Sequence, residues 1–408
     1  MSATIIVVGA GQAAAAFAAK LRELQPERPI TLVGDEPELP YQRPPLSKKY
    51  MTGEMSLDRL LLRPAEWYDE HHIECRTSVT VDSIDREDKM VVLSDETVLK
   101  YDKLIIATGA TPRRLAPAAG GELAGVYALR TLADADAMAH EFKPGRKLLV
   151  VGGGYIGLEA AAVAATLGVE VTVVEMAPRI LQRVAAAETS DYFRALHRSR
   201  GVTVTESASL IRLAGDNGRV ARAEFADGSA LDIDFALVGI GVTPNVALAE
   251  EADLAVGNGI EVGLDCRTSD PDIFAAGDCA SFKFRGQRIR LESVQNAIEQ
   301  AEAAAHVIAG QKVEYKSVPW FWSDQYDVKL QIAGFNLGYD STVVRPGIRE
   351  GQQSVWYFAG KEFLAVDAMN DPRAYMMGKR LLEAGHDPAK SITPEQAADP
   401  DFDLKSLL

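Results

Sequence analysis

The chain has 408 residues, enough for two or three domains with a packed core. Apolar residues make up 47% and charged residues 25% of it, as in an ordinary globular protein. A formal net charge of −15 argues against general binding to nucleic acids or anionic membranes. No transmembrane helix is expected, since no run of about 18 apolar residues occurs. No signal peptide is expected either, because the N-terminus lacks a basic region and a separate apolar segment before a cleavage site. Cys75, Cys266 and Cys279 are far apart, which fits reduced cytoplasmic thiols better than disulfides.

One pattern of strand, glycine-rich turn, helix and strand occurs twice along the chain. The first copy spans residues 5–33 and the second spans residues 147–174, with helices predicted to end near Leu24 and Leu167. Short apolar runs flank an alanine-rich helix in both copies, which is the pattern of a parallel sheet covered on both faces. A lone glycine-rich turn is often only a tight loop, but two copies in this context predict two Rossmann-type dinucleotide-binding domains.

Further elements are predicted after each copy, and the acidic tail from Ala397 to Asp403 is expected to be loosely held. The elements are strands at 101–109, 235–241 and 274–278, a helix at 294–308, antiparallel strands at 329–333 and 354–358, and a helix at 372–384.

The predicted fold class is α/β, with the second Rossmann-type domain inserted in the first and a C-terminal α+β domain. We place the first domain at residues 1–112 and 243–318, the second at 113–242 and the C-terminal domain at 319–408.

Both glycine-rich turns have the small residues that a pyrophosphate site needs. The first glycine gives a tight turn, the second lets the backbone approach the phosphates, and the third small residue allows close packing of helix and strand. The helix that opens there directs N–H groups and its positive dipole end toward the anion. These residues are Gly9, Gly11 and Ala14 in the first copy, and Gly152, Gly154 and Gly157 in the second.

An acidic residue at the end of the following strand should accept hydrogen bonds from an adenosine ribose. In the second copy this residue is Glu175, whose carboxylate would repel a 2′-phosphate and so favours NADH over NADPH. Arg179 and Arg183 lie nearby and weaken that preference, because arginines can bind a 2′-phosphate. In the first copy Asp35 and Glu36 are both candidates, and we choose Asp35.

Two dinucleotide sites suggest two cofactors that exchange electrons, the alternative being a regulatory second nucleotide. Family resemblance favours the former. The chain resembles the FAD/NAD-linked pyridine nucleotide oxidoreductases, and within them the ferredoxin reductases that serve bacterial cytochromes P450 and aromatic-ring dioxygenases. It is also similar to apoptosis-inducing factor. The segments that carry the resemblance are Pro40–Lys48, Ala107–Ala110, Tyr155–Glu159, Gly241–Asn245, Ala276–Asp278 and Phe321–Gln325.

The resemblance implies roles for individual residues around FAD. Asp278 would bond the ribityl chain or pyrophosphate, Arg43 would neutralise the phosphates, and Lys48 would lie near the flavin N5 edge. Trp322 would lie beside the ring system, and backbone near Val294 would face its pyrimidine end. The FAD-binding residues expected in addition to the first glycine turn are Asp35, Arg43, Lys48, Ala107, Thr108, Gly109, Asp278, Val294 and Trp322.

The resemblance also implies that Glu159 lies close to Lys48 and to the nicotinamide, and that these two residues are catalytic. A lysine beside the flavin would stabilise the negative charge that reduction adds, and a buried lysine needs an anionic partner. The NAD-binding residues expected in addition to the second glycine turn are Tyr155, Ile156, Glu159, Glu175, Arg183, Gly241 and Glu292.

The electron acceptor is inferred from a missing thiol. Disulfide reductases of the superfamily have a pair of redox cysteines just past the first ribose strand, whereas the stretch from Asp35 to Asp58 has none. Since a flavin accepts a hydride and can release single electrons, a 2Fe–2S ferredoxin is the expected partner. The alternatives are direct reduction of oxygen or another small acceptor, and a redox-sensing interaction protein like apoptosis-inducing factor.

A basic segment at residues 282–291 is the predicted docking site for that partner. It has four basic residues and no acidic one, and its alternation predicts a half-exposed strand with the charges on one face. Arg285, Arg288 and Arg290 would attract an acidic ferredoxin to a chain that is otherwise negative. The alternative is a solvated hairpin without a partner.

Overall fold

The computed structural model describes residues 4–316, 318–385 and 391–407. It confirms the predicted fold class: two parallel sheets with helices, and an antiparallel sheet near the C-terminus. No helix in these three ranges has both the length and the hydropathy to span a membrane.

The strands and helices in the described residues are numbered in chain order. The strands are β1 (Ile5–Val8), β2 (Ile30–Val33), β3 (Ile73–Arg76), β4 (Val81–Asp85), β5 (Met90–Leu93), β6 (Val98–Lys100), β7 (Lys103–Ile106), β8 (Ala110–Pro112), β9 (Val126–Tyr127), β10 (Lys147–Val151), β11 (Glu170–Val174), β12 (Thr203–Thr205), β13 (Leu210–Asp216), β14 (Arg219–Phe225), β15 (Ala230–Asp232), β16 (Phe235–Val238), β17 (Val242–Pro244), β18 (Val256–Gly257), β19 (Gly259–Glu261), β20 (Ile273–Ala275), β21 (Ala280–Phe284), β22 (Gln287–Ile289), β23 (Trp320–Gln325), β24 (Val328–Gly334), β25 (Ser341–Pro346), β26 (Gln353–Ala359) and β27 (Glu362–Met369). The helices are α1 (Gln12–Leu24), α2 (Leu57–Leu60), α3 (Ala65–Glu70), α4 (Leu132–Ala139), α5 (Tyr155–Thr166), α6 (Ala187–Ser199), α7 (Ala247–Glu251), α8 (Val294–Ile308), α9 (Pro372–Glu383) and α10 (Pro394–Ala398), with 3-10 turns at Pro44–Ser47, Pro117–Ala119 and Leu404–Leu407.

Contacts within the chain define two units. The first consists of Met1–Arg43, Ser56–Thr111 and Val242–Ser317, and the second of Pro44–Met55, Pro112–Gly241 and Val318–Leu408. The second unit therefore includes a short segment around Lys48 and the C-terminal sheet as well as the second glycine-rich turn. The division into three domains with boundaries at 112, 242 and 318 stays a prediction.

The first unit is built on the parallel sheet β20-β7-β1-β2-β3. All residues of β1 and β2 are buried, as expected for strands that are covered on both faces. Helices α1 and α8 pack against each other, and the Ser293 hydroxyl caps α8 by accepting the Asn296 N–H. The chain leaves this unit after Thr111 and returns at Val242, and Asn245 bonds both the backbone and the hydroxyl of Thr108 near that exit.

The second unit contains the parallel sheet β12-β11-β10-β16-β9 and the antiparallel sheet β23-β24-β27-β26-β25. In the antiparallel sheet, Trp356, Phe358 and Val366 are fully buried and form a core with Met377 and Leu381 of α9. The predicted alternation therefore places apolar residues against the helix that follows the sheet.

The acidic tail is held more firmly than expected, because an arginine binds its backbone. Arg345 is 9% exposed, and its guanidinium points its donors at carbonyl groups of the tail. The accepting oxygens belong to Gln396, Ala397, Asp399, Pro400 and Phe402 at 2.7–3.3 Å. Composition alone could not show this anchor, which lies about 50 residues upstream in the chain.

Arg345→Ala is expected to lower the free energy of unfolding by about 2 kcal/mol, because several half-buried carbonyls lose a charged donor. Urea unfolding and limited proteolysis of the tail measure the effect. Arg349→Ala, on the exposed loop after β25, is the matched control and should change neither. Equal stability of the two variants would contradict the anchoring role of Arg345.

Candidate active site

The first glycine-rich turn, at Gly9 and Gly11, packs closely against the end of β7. Gly9 has a φ of +118°, and a Cβ at this position would lie 2.3 Å from the carbonyl oxygen of Ala107. Both features require glycine. Gly11 precedes α1, no described atom lies within 4 Å of the place its Cβ would take, and no described side chain caps the helix. An anion can therefore reach the N-terminus of α1, as the sequence predicts for a pyrophosphate.

The second glycine-rich turn repeats this geometry. Gly152 has a φ of +106° and would place a Cβ 2.4 Å from the carbonyl oxygen of Gly239, at the end of β16. Gly157 lies on α5 so close to the turn that its Cβ would be 2.4 Å from the carbonyl oxygen of Gly152. Around Gly154 the described structure again leaves open space, and α5 starts without a side-chain cap. Both cradles thus fit a dinucleotide pyrophosphate.

The second cradle carries further predicted residues of the NAD set. The Tyr155 ring lies 4.9 Å from that of Phe321, centroid to centroid, and Ile156 is 43% exposed at the start of α5. Gly241, with a φ of +100°, ends the segment after β16. These residues belong to the second unit together with Glu175.

Glu175 directly follows β11 and is already oriented by backbone N–H groups. Its Oε2 accepts from Gly153 and its Oε1 from Ala177, both at 2.8 Å. Each carboxylate oxygen keeps another lone pair that a ribose hydroxyl can use. Arg179 turns away to Ser190 Oγ at 2.6 Å and to backbone carbonyls, whereas Arg183 is exposed. Of the two arginines that could bind a 2′-phosphate, Arg179 is therefore already engaged by groups of the protein.

At the first ribose position, the two carboxylates differ in their surroundings. Glu36 is paired with the Arg43 guanidinium and accepts the Tyr41 hydroxyl, so its oxygens are engaged within the protein. Asp35, one residue closer to β2, is exposed. This difference favours Asp35 for the ribose and shows that Arg43 already has an anionic partner.

The carboxyl ends of neighbouring parallel strands bring together the other FAD candidates of the first unit. Ala107, Thr108 and Gly109 follow β7, and Asp278 follows β20, which pairs with β7 in register. Ligands of open α/β sheets bind at this edge. The turn before Asp278 is fixed by a bond from the Gly277 N–H to Gln300 Oε1 of α8, at 2.9 Å. Val294 is the first residue of that helix, and the fully buried Ala14 lies on α1.

Lys48 and Glu159 form an ion pair in the second unit, as predicted. Lys48 Nζ lies 3.1 Å from Glu159 Oε1 and 3.5 Å from Asp324 Oδ2. Glu159 also accepts hydrogen bonds from the hydroxyls of Ser47 and Ser323, each at 2.7 Å. Burial raises the pKa of the Glu159 carboxyl, and Lys48 and both hydroxyls act against that rise. The arrangement keeps a lysine charge beside a nearly buried carboxylate.

The pair is close to the second glycine-rich turn and to an aromatic face. Glu159 lies one turn into α5, the helix that begins at the second glycine-rich turn. Trp322 lies on β23 with its ring centroid 5.9 Å from Lys48 Nζ and 5.7 Å from that of Trp320. A cation, its counter-ion and an aromatic surface thus occur together in this unit, which suits the stabilisation of charge on a planar cofactor.

One predicted residue, Arg290, is placed differently from the expectation. It is ion-paired at 2.7 Å with Glu292 of the same unit, whose place in the NAD set stays a prediction. The Arg290 side chain is only 7% exposed and also donates to the carbonyl of Asp278 at 3.1 Å. The expectation that Arg290 is a surface docking charge is therefore wrong, because its charge is buried and paired.

The basic segment forms a hairpin of β21 and β22, with Arg285 and Gly286 at a two-residue turn where both have positive φ. Lys283, Arg285 and Arg288 are exposed. Arg288 also contacts Glu261 at 3.2 Å and the carbonyl of Ser281 at 2.9 Å.

Comparison with known proteins agrees with this geometry. A family model described as pyridine nucleotide-disulphide oxidoreductase matches residues 3–301, and one described as reductase C-terminal matches residues 320–408. The chain belongs to the pyridine nucleotide-disulphide oxidoreductase family. The resemblance noted from its sequence motifs is thereby confirmed.

Relatives of the oxidoreductase match along nearly the whole chain. Rhodocoxin reductase of Rhodococcus erythropolis is 43% identical over 404 residues, which cover 98% of this chain and 93% of that protein. A ferredoxin–NAD(P)+ reductase of a Sphingomonas species is 40% identical over 408 residues, covering 99% and 97%. A chain in the crystal structure of the covalent putidaredoxin reductase–putidaredoxin complex matches with a TM-score of 0.95 and 36% identity, covering 99% of this chain and 98% of that one.

Sequence reasoning missed the hydroxyls that hold Glu159 in this oxidoreductase. Ser47 and Ser323 both lie in segments that carry the family resemblance, but the sequence did not predict that their hydroxyls bind Glu159. A sequence motif does not show which side chain points at which carboxylate, since that depends on how distant segments pack.

Proposed function

We propose that this chain is an NADH-dependent flavoprotein reductase that passes electrons one at a time to a 2Fe–2S ferredoxin, which serves a cytochrome P450 or a ring-hydroxylating dioxygenase. The observation that carries the proposal is the pair of uncapped glycine cradles, one in each unit. They accommodate two dinucleotides, FAD in the first unit and NADH in the second. Bound FAD would supply the chemistry, taking a hydride from NADH and giving up single electrons.

The cysteines support an acceptor outside the chain. Burial raises the pKa of the Cys75 and Cys266 thiols to about 12 and also raises that of Cys279. A thiol of high pKa is a poor nucleophile and a poor redox centre near neutral pH. None of the three suits the internal disulfide chemistry that gives the family its name.

The residues of the chain bind, orient and compensate charge. The turn at Gly9 and Gly11, Arg43 and Asp278 hold FAD, with Asp35 at its ribose. The turn at Gly152 and Gly154 and the carboxylate of Glu175 hold NADH. Lys48 supplies positive charge for the reduced ring, and Glu159 keeps that lysine in position between turnovers.

Turnover with different acceptors tests the function. Purified holoenzyme with NADH should reduce cytochrome c quickly only when a 2Fe–2S ferredoxin is added, because the ferredoxin carries single electrons between them. Fast turnover with oxygen alone would favour a reductase of small acceptors. A long-lived reduced complex whose assembly changes with NADH would favour a redox-sensing interaction protein.

Docking of the ferredoxin is proposed at the exposed charges of the β21–β22 hairpin. Arg285→Glu or Arg288→Glu should raise the KM for ferredoxin roughly 10-fold, because rim charges act mainly on association. NADH-driven flavin reduction should stay unchanged, and the wild-type KM should rise with salt. Stopped-flow and steady-state kinetics measure these quantities.

Lys312→Glu, an exposed reversal outside the hairpin, is the matched control and should leave the KM for ferredoxin near the wild-type value. If the hairpin variants and this control behave alike, the ferredoxin docks elsewhere.

A further inference from the structure

A chain of hydrogen bonds runs through the second unit from Glu159 to a tyrosine. Ser323 donates to Glu159 Oε1 at 2.7 Å, and Gln325 Nε2 donates to Ser323 Oγ at 3.2 Å. Gln325 Oε1 lies 2.8 Å from His197 Nε2, and His197 Nδ1 lies 3.3 Å from the Tyr326 hydroxyl. Ser323, Gln325 and His197 are all fully buried. The links to Gln325, His197 and Tyr326 have no part in the catalytic roles proposed for Lys48 and Glu159.

The direction of the chain follows from its acidic end. An ionised Glu159 only accepts, so the single Ser323 hydroxyl proton points to it. Ser323 Oγ must then accept from the amide NH2 of Gln325, which turns the amide oxygen toward His197. That oxygen requires a proton on His197 Nε2, and the neutral ring then accepts from the Tyr326 hydroxyl at Nδ1. In each of these hydrogen bonds the donor lies on the Tyr326 side and the acceptor on the Glu159 side.

At the Tyr326 end of this series of hydrogen bonds the backbone is strained. Tyr326 has a φ of +56° at the two-residue turn between β23 and β24, a left-handed conformation that is strained for a bulky residue. This conformation accompanies the approach of its hydroxyl to His197 and of its ring to Arg200, whose guanidinium carbon lies 5.4 Å from the centroid. Burial lowers the pKa of His197, which keeps its ring neutral as the chain requires.

We infer that Gln325, oriented by His197, positions the Glu159 carboxylate through Ser323 and thereby fixes Lys48 at the flavin. The inference rests on the proposed function, in which Lys48 lies beside the reducible ring. Glu159 is ion-paired with Lys48, and Asp324 contacts the same lysine; neither can supply this donor because Lys48 is the group to be positioned and Asp324 is acidic. Gln325 and His197 are thus positioning residues for hydride transfer.

The test separates positioning from mere packing with near-isosteric variants. Gln325→Met and His197→Phe should each lower the limiting rate of flavin reduction roughly 10-fold in stopped flow, with an unchanged apparent Kd for NADH. In a Glu159→Gln background the same substitutions should change the limiting rate less than about twofold, because the group they act through is gone.

A second buried cluster, which involves the same helix α6 that carries His197, provides the control. Thr189 of α6 donates to Asp367 at 2.7 Å, and Tyr357 donates to the same carboxylate. Thr189→Val removes a buried hydroxyl of comparable environment without touching the chain to Glu159, so the limiting rate should stay at the wild-type value. A rate loss in Thr189→Val equal to that in Gln325→Met would assign both effects to packing and overturn the inference.

A readout independent of turnover is the tautomer of His197. Nitrogen-15 NMR of histidine-labelled holoenzyme, assigned with His197→Phe, should show Nε2 protonated and Nδ1 unprotonated near neutral pH. The reverse tautomer would mean that the chain points away from Glu159 and would overturn the inference whatever the enzyme reduces. If NADH fails to reduce the wild-type flavin, the proposed function falls; if Glu159→Gln slows reduction but Gln325→Met does not, only the inference falls.

Discussion

The kcat/KM with NADH should exceed the kcat/KM with NADPH by on the order of 100-fold or more, and Glu175→Ala should reduce the ratio of the two values roughly 10-fold. In the proposed NADH site, the carboxylate of Glu175 would repel a 2′-phosphate and would offer lone pairs to a ribose hydroxyl. Its bonds to the N–H groups of Gly153 and Ala177 hold it in place for both tasks. Because the substitution also loosens the glycine-rich turn, both coenzymes should bind more weakly, and the informative quantity is the ratio.

Glu170→Ala is the matched control, since Glu170 is exposed at the other end of β11. It should leave the coenzyme ratio as in the wild type. If the wild-type enzyme uses NADH and NADPH equally, then the positive charge of Arg183 offsets any repulsion of the 2′-phosphate, and the role proposed for Glu175 is wrong.

Lys48→Ala should lower the limiting rate of flavin reduction roughly 100-fold, while the apparent Kd for NADH changes little. The lysine charge is of most use when reduction adds negative charge to the flavin, so its loss affects the transition state more than coenzyme binding. The variant also leaves Glu159 buried without a cation, which favours the protonated carboxyl and raises its pKa further. Stopped-flow reduction at saturating NADH measures the limiting rate.

The neighbouring Lys49 is exposed, and Lys49→Ala provides the matched control with an unchanged limiting rate. An unchanged rate in Lys48→Ala as well would make the lysine a structural partner of Glu159 and remove it from the catalytic group.

Local signals were sufficient for the sequence to predict much of the fold. The predicted bounds of α8 at 294 and 308 agree with the structure, because its pattern is strongly periodic and begins after a serine cap. Both glycine-rich turns were predicted because the need for positive φ and close approach is visible in the residue type itself. The repeated strand patterns gave the two parallel sheets in the same way.

The candidate site was predictable only in part. The family motifs predicted that Lys48 and Glu159 lie close together, but Ser323, Gln325 and His197 carry no local signal for a hydrogen-bonded chain. His197 lies on an amphipathic helix, where a buried histidine looks like any other core position. Arg290 shows the opposite error, since a basic residue in an alternating segment was expected to be exposed and is in fact buried against Glu292.

By itself, the sequence determined the two dinucleotide cradles, the family and the absence of a cysteine pair after the first ribose strand. These are properties of short segments, where glycine conformation and strand periodicity act within a few residues. The tertiary structure alone decided which groups hold the Glu159 carboxylate, which arginine of the basic segment at residues 282–291 is buried, and that Arg345 anchors the tail. The physical reason is that each of these depends on burial or on hydrogen bonds between distant segments, such as the 112 residues between Ser47 and Glu159, and such pairings are fixed only when the chain packs.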